Sequence, residues 1–400
     1  MMCRKIRRMH LFFSRKMSMQ LNSGHGSLLR RVDMAVKLSP LERIQRTLNF
    51  QDVDFVAAGE IIQNSGLIDR FVDREVRNDW TLEELASTYR ELEIDVGMLM
   101  ASASTPRIEK RHGITYQVSY WSEWVTDRPF DDVKGLKRFL ENLIVEVKGS
   151  RPDEIWSYAG KGGILGQGFD DYGKYFAYLK KKISPAIPCH IESPIGLDVI
   201  YNMAGWELYS YLLADDPGII SETFEALNEH EVNRVHLIAD SDISPLVIVY
   251  CDIASKHDVI LSPLYLRAEF FPRLKRLVEA WHEHGIKVIF HSEGNLKKVM
   301  DDLITCGIDG INPLEPENIS LEYVRKNYPK LVLWGGIDDK TLLPFGTEDQ
   351  VEEAVKSAIE VCSNGGLILG ASGEIHPEVK PENAVALFRA AKKYGCMNSS

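Results

Sequence analysis

From Lys287 onward the chain repeats one pattern: an apolar run, a short polar cluster, then a helix-forming stretch. The runs are KVIFHSEGN, GINPLEPEN, LVLWGGIDD and LILGASGEIHPE. Each begins with consecutive apolar positions, as a strand covered on both faces must. Each closes on residues able to do chemistry: His291 and Glu293, Asn312 and Glu315, Asp338, then Ser372, Glu374 and His376. No antiparallel hairpin interrupts the series. Repeated strand–helix units of this kind predict an α/β fold, a (β/α)8 TIM barrel, whose working residues sit at the C-terminal ends of the strands.

The pattern extends toward the N-terminus. After Pro40, LERIQRTLNF has the spacing of an amphipathic helix leading into DVDFVAAGE. Thr81 with Glu84 makes a capping-box pattern at the head of a helix that runs to Leu92. DVGMLMA then supplies a second strand. The following segment, RIEKRHGITYQVSYWSEW, alternates about a His112-Gly113 turn, which predicts a β-hairpin inserted in the N-terminal half over residues 103–126. Tyr120, Trp121 and Trp124 would serve its packing or wall a pocket. The Gly-rich run GKGGILGQGFDDYG fits neither GxGxxG nor GxxxxGK[ST] in register, so it is read as an active-site loop rather than a phosphate loop.

AIPCHIESPIG gives the third strand, residues 205–236 a long helical region, and LVIVYCDIA the fourth strand. Ser262-Pro263 opens a helix that Gly285 stops, and Thr347 with Gln350 caps another that ends at Gly365-Gly366. The expected strands are 53–57, 95–100, 187–193, 247–252, 287–291, 310–314, 331–335 and 367–370. That is the number a closed parallel barrel requires.

Charge changes the picture at the N-terminus. The net charge is −11, yet the first 33 residues carry eight Lys/Arg against one Asp, a net +7 that leaves −18 for the body. Such an acidic body argues against nucleic acid as a main partner. No apolar run approaches the roughly 18–20 residues of a membrane span. In MMCRKIRRMHLFFSRKMSMQ the apolar core is only Leu11, Phe12 and Phe13, too short for a secretory h-region. Residues 1–33 are therefore expected to form a disordered basic tail, with Met34 a natural alternative start, and residues 38–395 a single barrel domain. The six cysteines are scattered without a CxxC, which suits a reduced, cytoplasmic setting.

His291 and Glu293 stand two residues apart at the end of the fifth strand, so their side chains share a face. Three uses of such a pair stay open. They are ligands to a metal such as Zn²⁺, an acid–base or substrate-binding pair, or a hydrogen-bonded rim cluster. Neighbouring strands ending in Glu60, Glu192, Asp252, Asn312 and Asp338, with His376 beyond the last, favour a shared site.

Several blocks carry a family resemblance: LSPLERIQRTLNFQDVD, YCDIASKHDVILSPLYLRAEFFPRLKRLVEAWHEHGIKVIFHSEGN, DGINPLEPEN, LVLWGGIDDKTLLPFGTEDQVEEAV and GGLILGASGEIHPEVKPENAVALFRAAKKYG. Together they resemble the uroporphyrinogen decarboxylase superfamily, which includes the corrinoid-dependent methyltransferases. The likeness spans most of residues 38–395 and is strongest after Asp252. It implies a zinc site in the methyl-transferring branch, built from a His-x-Cys pair on the fifth strand and a Cys on the last. Here His291 matches, but Glu293 and Gly373 stand at the cysteine positions, so this chain looks like a divergent branch without soft thiolate ligands. The decarboxylase branch carries an RQAGR-like segment near its start, where this chain reads FVAAGEIIQNSG. A cavity lined by Glu60, Glu192, Asp252 and Glu293 would repel a porphyrinogen bearing many carboxylates.

The resemblance thus implies an enzyme that moves a methyl group between a small methylated substrate and a corrinoid on a partner protein. The chain itself would hold no cofactor tightly; zinc, if bound, would sit on His291 and Glu293. Those two residues would bind the substrate or activate its leaving heteroatom, and Asp252 with Glu192 would position or protonate it. Glu60, Asn312, Asp338 and His376 would complete the substrate cavity. The alternatives are a cofactor-free decarboxylase or lyase acting on a smaller substrate, and a non-catalytic tetrapyrrole- or corrinoid-binding protein.

Overall fold

A computed structural model describes residues 37–98, 103–120, 122–153, 156–157, 160–161 and 172–395. The expected basic tail and most of the Gly-rich run lie outside the described residues. From Lys37 onward the chain forms one compact unit.

Its centre is a parallel sheet of buried apolar strands. The first is Ala57–Glu60, the second Val96–Gly97, and the third Ile187–Pro188 continuing as His190–Pro194. The fourth is Leu246–Tyr250, the fifth Lys287–His291, the sixth Gly310–Asn312, the seventh Val332–Ile337 and the eighth Leu367–Ala371. The first strand pairs with both the second and the eighth. The third pairs with the second through Ile187 and with the fourth through His190. The sheet therefore curls until the two ends of its strand order meet on one run of chain, a TIM-barrel-like architecture.

Alternation along the strands divides the core in two. Leu246, Ile248, Ile289, Val332, Trp334 and Ile368 pack inside the sheet together with Ile44 and Leu48 of the helix Pro40–Leu48. Val247, Val249, Val288, Phe290, Leu333 and Leu369 face the surrounding helices. The three capping boxes, Ser39/Glu42, Thr81/Glu84 and Thr347/Gln350, start their helices with both reciprocal hydrogen bonds made.

Three expectations change. The first strand begins at Ala57, not at Val53, because Asp54 is drawn out of the strand to pair with Arg43. The helical region at 205–236 is two helices, Trp206–Asp215 and Pro217–Ile238, since Pro217 cannot continue the first and fits the first turn of the second. The segment expected as a hairpin is a three-stranded antiparallel sheet: Ala103–Arg111, Ile114–Tyr120 and Ser122–Asp127. His112 and Gly113, both at positive φ, make its first turn. A second reversal at Ser119–Ser122 adds the third strand.

Candidate functional site

The fifth strand sets the geometry. Ile289 faces the inside of the sheet, so His291 and Glu293, at the same parity, turn toward its C-terminal mouth. His291 is half-buried, and its Nδ1 lies 2.6 Å from Oδ1 of Asn312, the last residue of the sixth strand. Asn312 is buried, and its Nδ2 donates to the Trp334 carbonyl at 3.4 Å, which turns the amide oxygen toward the imidazole. Nδ1 therefore carries the proton that Asn312 accepts, and Nε2 is the ring nitrogen left for a substrate.

Glu293 and Asp252 are joined through the backbone, with the Glu293 N–H donating to Asp252 Oδ1 at 3.0 Å. The fourth and fifth strands bring them together, because Tyr250 pairs with His291 in register. Burial and the nearby Asp252 and Glu315 carboxylates push the Glu293 carboxyl up, while His291 and Lys340 pull it down less strongly. Glu315 itself sits deeper, bound by Gly294 N–H and Asn318 Nδ2 at 2.7 Å each and by the Lys340 ammonium. Burial works against its charge, but these donors win and hold it below the usual carboxylate range.

Sequence patterning missed an aromatic pair beside Asp252. Tyr201 donates its hydroxyl to the Asp252 carbonyl at 2.9 Å and stacks on Trp206, ring centroids 4.2 Å apart. Both follow the third strand: Tyr201 lies before the helical region expected at 205–236, and Trp206 at its start. Of the aromatics expected on the insertion, Trp124 is exposed and the side chains of Tyr120 and Trp121 lie outside the described residues. The Glu192 side chain lies outside them too, although its backbone belongs to the third strand.

On the far side of the mouth the assignments shift. Glu60 is buried between the first and eighth strands, its two oxygens accepting the N–H groups of Ile61 and Ala371 at 2.9 Å each. Burial, with Asp339 and Glu374 close by, raises its carboxyl to about 8 despite those two donors. Asp338, expected at the cavity, instead holds its own loop through the N–H groups of Lys340 and Thr341 and the Thr341 hydroxyl. The neighbouring Asp339 reaches across to the eighth strand, accepting from Ser372 Oγ at 2.7 Å and from Glu374 N–H at 3.1 Å. The seventh strand's Gly335 and Gly336, at φ of 113° and 100°, break the alternation that would have sent Asp338 inward. His376 spends both ring nitrogens on the loop, donating Nε2–H to the Asp339 carbonyl at 2.8 Å and accepting Glu378 N–H at Nδ1. It braces the site and has no nitrogen left for a substrate.

The donor set does not fit the zinc centre that the family resemblance implies. Among the described residues no three His, Cys, Asp or Glu side chains gather closely enough to hold a metal ion. The described cysteines are buried, and none stands at either ligand position. At 373 even the space is taken, because a Cβ there would overlap Asp339 Oδ2. A Gly373→Cys protein should therefore lose about 1–3 kcal/mol, from overpacking and from disturbing the Asp339 Oδ2 that accepts the Glu374 N–H. Combining it with Glu293→Cys should still yield no stoichiometric zinc. Chemical denaturation and metal analysis of the double variant check both statements; tight zinc in a stable protein would contradict them.

Comparison with known proteins agrees with this architecture. Residues 230–394 match the profile of the uroporphyrinogen decarboxylase (URO-D) family. The matched stretch includes Asp252, His291, Glu293, Asn312 and Glu374. Among solved structures, a methyltransferase from Methanosarcina mazei has a TM-score of 0.62 at 16% identity, covering 89% of this chain and 99% of its own. At that identity the likeness is one of fold. A family 89 glycoside hydrolase from Clostridium perfringens has a TM-score of 0.42 at 10% identity, covering 86% of this chain and 38% of its own. A B12-independent methionine synthase from Shewanella sp. W3-18-1 has a TM-score of 0.35 at 11% identity, covering 85% and 96%. Neither of the last two supports an argument. No curated protein matches the sequence.

Proposed function

We propose that this protein is an enzyme that transfers a methyl group between a small methylated substrate and a corrinoid presented by a partner protein. The observation that carries the proposal is the state of His291. Its Nδ1 is committed to Asn312, which leaves Nε2 as the ring nitrogen available to a substrate. The URO-D match and the fold shared with a methyltransferase support the same reaction class, by analogy of fold alone. In this reading His291 and Glu293 hold the substrate, and Asp252 fixes the Glu293 backbone.

The Tyr201–Trp206 pair gives the substrate an apolar flank beside Asp252. The corrinoid is a substrate here, met face-on at the barrel mouth. Binding through the His291 imidazole and the carboxyls requires no metal from this chain.

The full chain, incubated with methylated compounds and a reduced corrinoid protein, should transfer methyl groups only when both are present. Metal analysis of the same preparation should show less than one zinc per chain. Release of CO2 from a carboxylated substrate with no methyl transfer would replace this reading with the lyase. Stoichiometric zinc lost from both His291→Ala and Glu293→Gln would restore a metal-assisted site. No described helix is long and apolar enough to cross a membrane.

A further inference from the structure

Four consecutive backbone N–H groups follow His291, and their acceptors alternate between the two neighbouring strands. Ser292 donates to the Asn312 carbonyl at 3.1 Å and Asn295 to the Ser255 carbonyl at 2.8 Å. Between them, Glu293 donates to Asp252 Oδ1 at 3.0 Å and Gly294 to Glu315 Oε2 at 2.7 Å. Carbonyls serve the outer pair and carboxylates the inner pair. Asp252 and Ser255 follow the fourth strand; Asn312 ends the sixth, and Glu315 follows it.

The inner pair bears on one side chain. A peptide unit is planar, so an acceptor on its N–H restrains the whole plane. Asp252 holds the plane that enters the Glu293 Cα, and Glu315 holds the plane that leaves it toward Gly294. Together they set the direction in which the Glu293 side chain leaves the backbone. The turn that brings Gly294 to Glu315 needs glycine. Its φ is 91°, and a Cβ there would lie 2.6 Å from the Ser255 carbonyl oxygen.

Glu315 is itself held from several sides. It is buried, Asn318 Nδ2 shares Oε2 at 2.7 Å, and the Lys340 ammonium takes Oε1. One carboxylate therefore ties together the loops after the fifth, sixth and seventh strands. Bonds to an ionised acceptor are stronger than neutral ones.

We infer that Glu315 is a positioning residue of this site: through Gly294 it aims Glu293 at the substrate, as Asp252 does from the other side. The inference rests on the methyl-transfer reading above, in which Glu293 holds the substrate.

Reach and charge separate in two conservative variants. Glu315→Gln keeps the length and an oxygen for Gly294 and Asn318, and the half-exposed Lys340 turns to solvent. Glu315→Asp keeps the charge, which Lys340 can follow, but its oxygens stop one carbon short of Gly294. Glu315→Met keeps the volume and offers no oxygen. Each is assayed as the full chain, with reduced cobalamin as acceptor and methoxybenzene, trimethylamine and dimethyl sulfide as methyl donors. Turnover per folded molecule should fall by about 100-fold in Glu315→Met and Glu315→Asp, the cost of a misplaced group, and Glu315→Gln should recover most of it.

The geometry has its own readout. Glu293-Gly294 is the only Glu–Gly dipeptide in the chain. Glutamate labelled with carbon-13 at the carbonyl and glycine labelled with nitrogen-15 therefore give one correlated amide signal, that of Gly294. It should lie downfield and exchange slowly in wild type and Glu315→Gln. In Glu315→Asp and Glu315→Met it should move upfield and exchange faster.

Turnover per folded molecule unchanged in all three variants would leave Glu315 a role in stability alone. A full rate in Glu315→Asp with a loss in Glu315→Gln would make it only the charge partner of Lys340. An unchanged Gly294 signal in Glu315→Met would show that the bond restrains nothing. Each of these results overturns the positioning role, and the Gln–Asp pair decides by itself should Glu315→Met not fold. Wild type inert toward all three donors would overturn the methyl-transfer reading, and the positioning role with it, even with the Gly294 amide held.

Discussion

His291→Ala should leave the protein folded and lower turnover by about 10²–10⁴-fold, the range for losing a positioned acid–base group. The strand does not depend on this side chain for packing. Ile289 lies in the inner cluster, Val288 and Phe290 lie in the outer one, and backbone pairing continues on both sides of the strand. What is lost inside the protein is one hydrogen bond to Asn312, whose oxygen can then take a water from the mouth, a cost of about 1–2 kcal/mol. What is lost toward the substrate is Nε2. His291→Asn separates the two, since its amide nitrogen mimics Nδ1 and can keep the bond to Asn312 with nothing at the Nε2 position. Both variants should be inactive and only the alanine measurably less stable, as read from denaturation curves beside turnover. An active His291→Ala protein would remove the imidazole from the mechanism.

The fifth strand was legible because nothing in KVIFHSEGN disturbs the period of two. Residues 287–291 are the strand, and parity alone turns His291 and Glu293 to the mouth. The seventh strand was not. Its pattern ends in Gly335-Gly336, and the sequence does not show that both glycines adopt positive φ, which exchanges the roles of Asp338 and Asp339. Glu374 was visible as a polar residue closing the last strand. Tyr201 was hidden for another reason: it lies on the helix Leu197–Ala204, ahead of the helical region expected at 205–236.

Local signals carried the helices better than the strands. Capping boxes act over three residues and need no tertiary context, so Thr81 and Thr347 began helices as expected. The start of the first strand depended on a distant partner. DVDFVAAGE is apolar enough for a strand throughout, yet Asp54 accepts from Arg43 through both oxygens, at 2.8 Å each, and the strand starts only after that pair is made. Pro217 was a local signal too, and its power to divide residues 205–236 into two helices was there to be read.

Arg43→Ala should have the largest effect on stability, about 3–5 kcal/mol, without changing turnover per folded molecule. The guanidinium is 2% exposed and is shared by Asp54, Asp95 and the Leu38 carbonyl. Asp95 also accepts the Ala58 N–H at 2.9 Å, so this one side chain ties the helix Pro40–Leu48 to the starts of the first and second strands. Removing it leaves two buried carboxylates with no cation in contact, the costly half of breaking a buried ion pair. Arg43→Lys should recover little, because a single ammonium cannot make the paired contacts to Asp54 and still reach Asp95 and Leu38. Arg43→Met with Asp54→Asn and Asp95→Asn should recover much more, since no charge is then stranded in the core. Urea denaturation of the four proteins would show the order. The cluster sits at the N-terminal ends of the strands and His291 at the C-terminal ends, where a barrel separates stability from chemistry. Equal loss of activity and stability in Arg43→Ala, measured on the folded fraction, would show that the two ends are coupled and would contradict that separation.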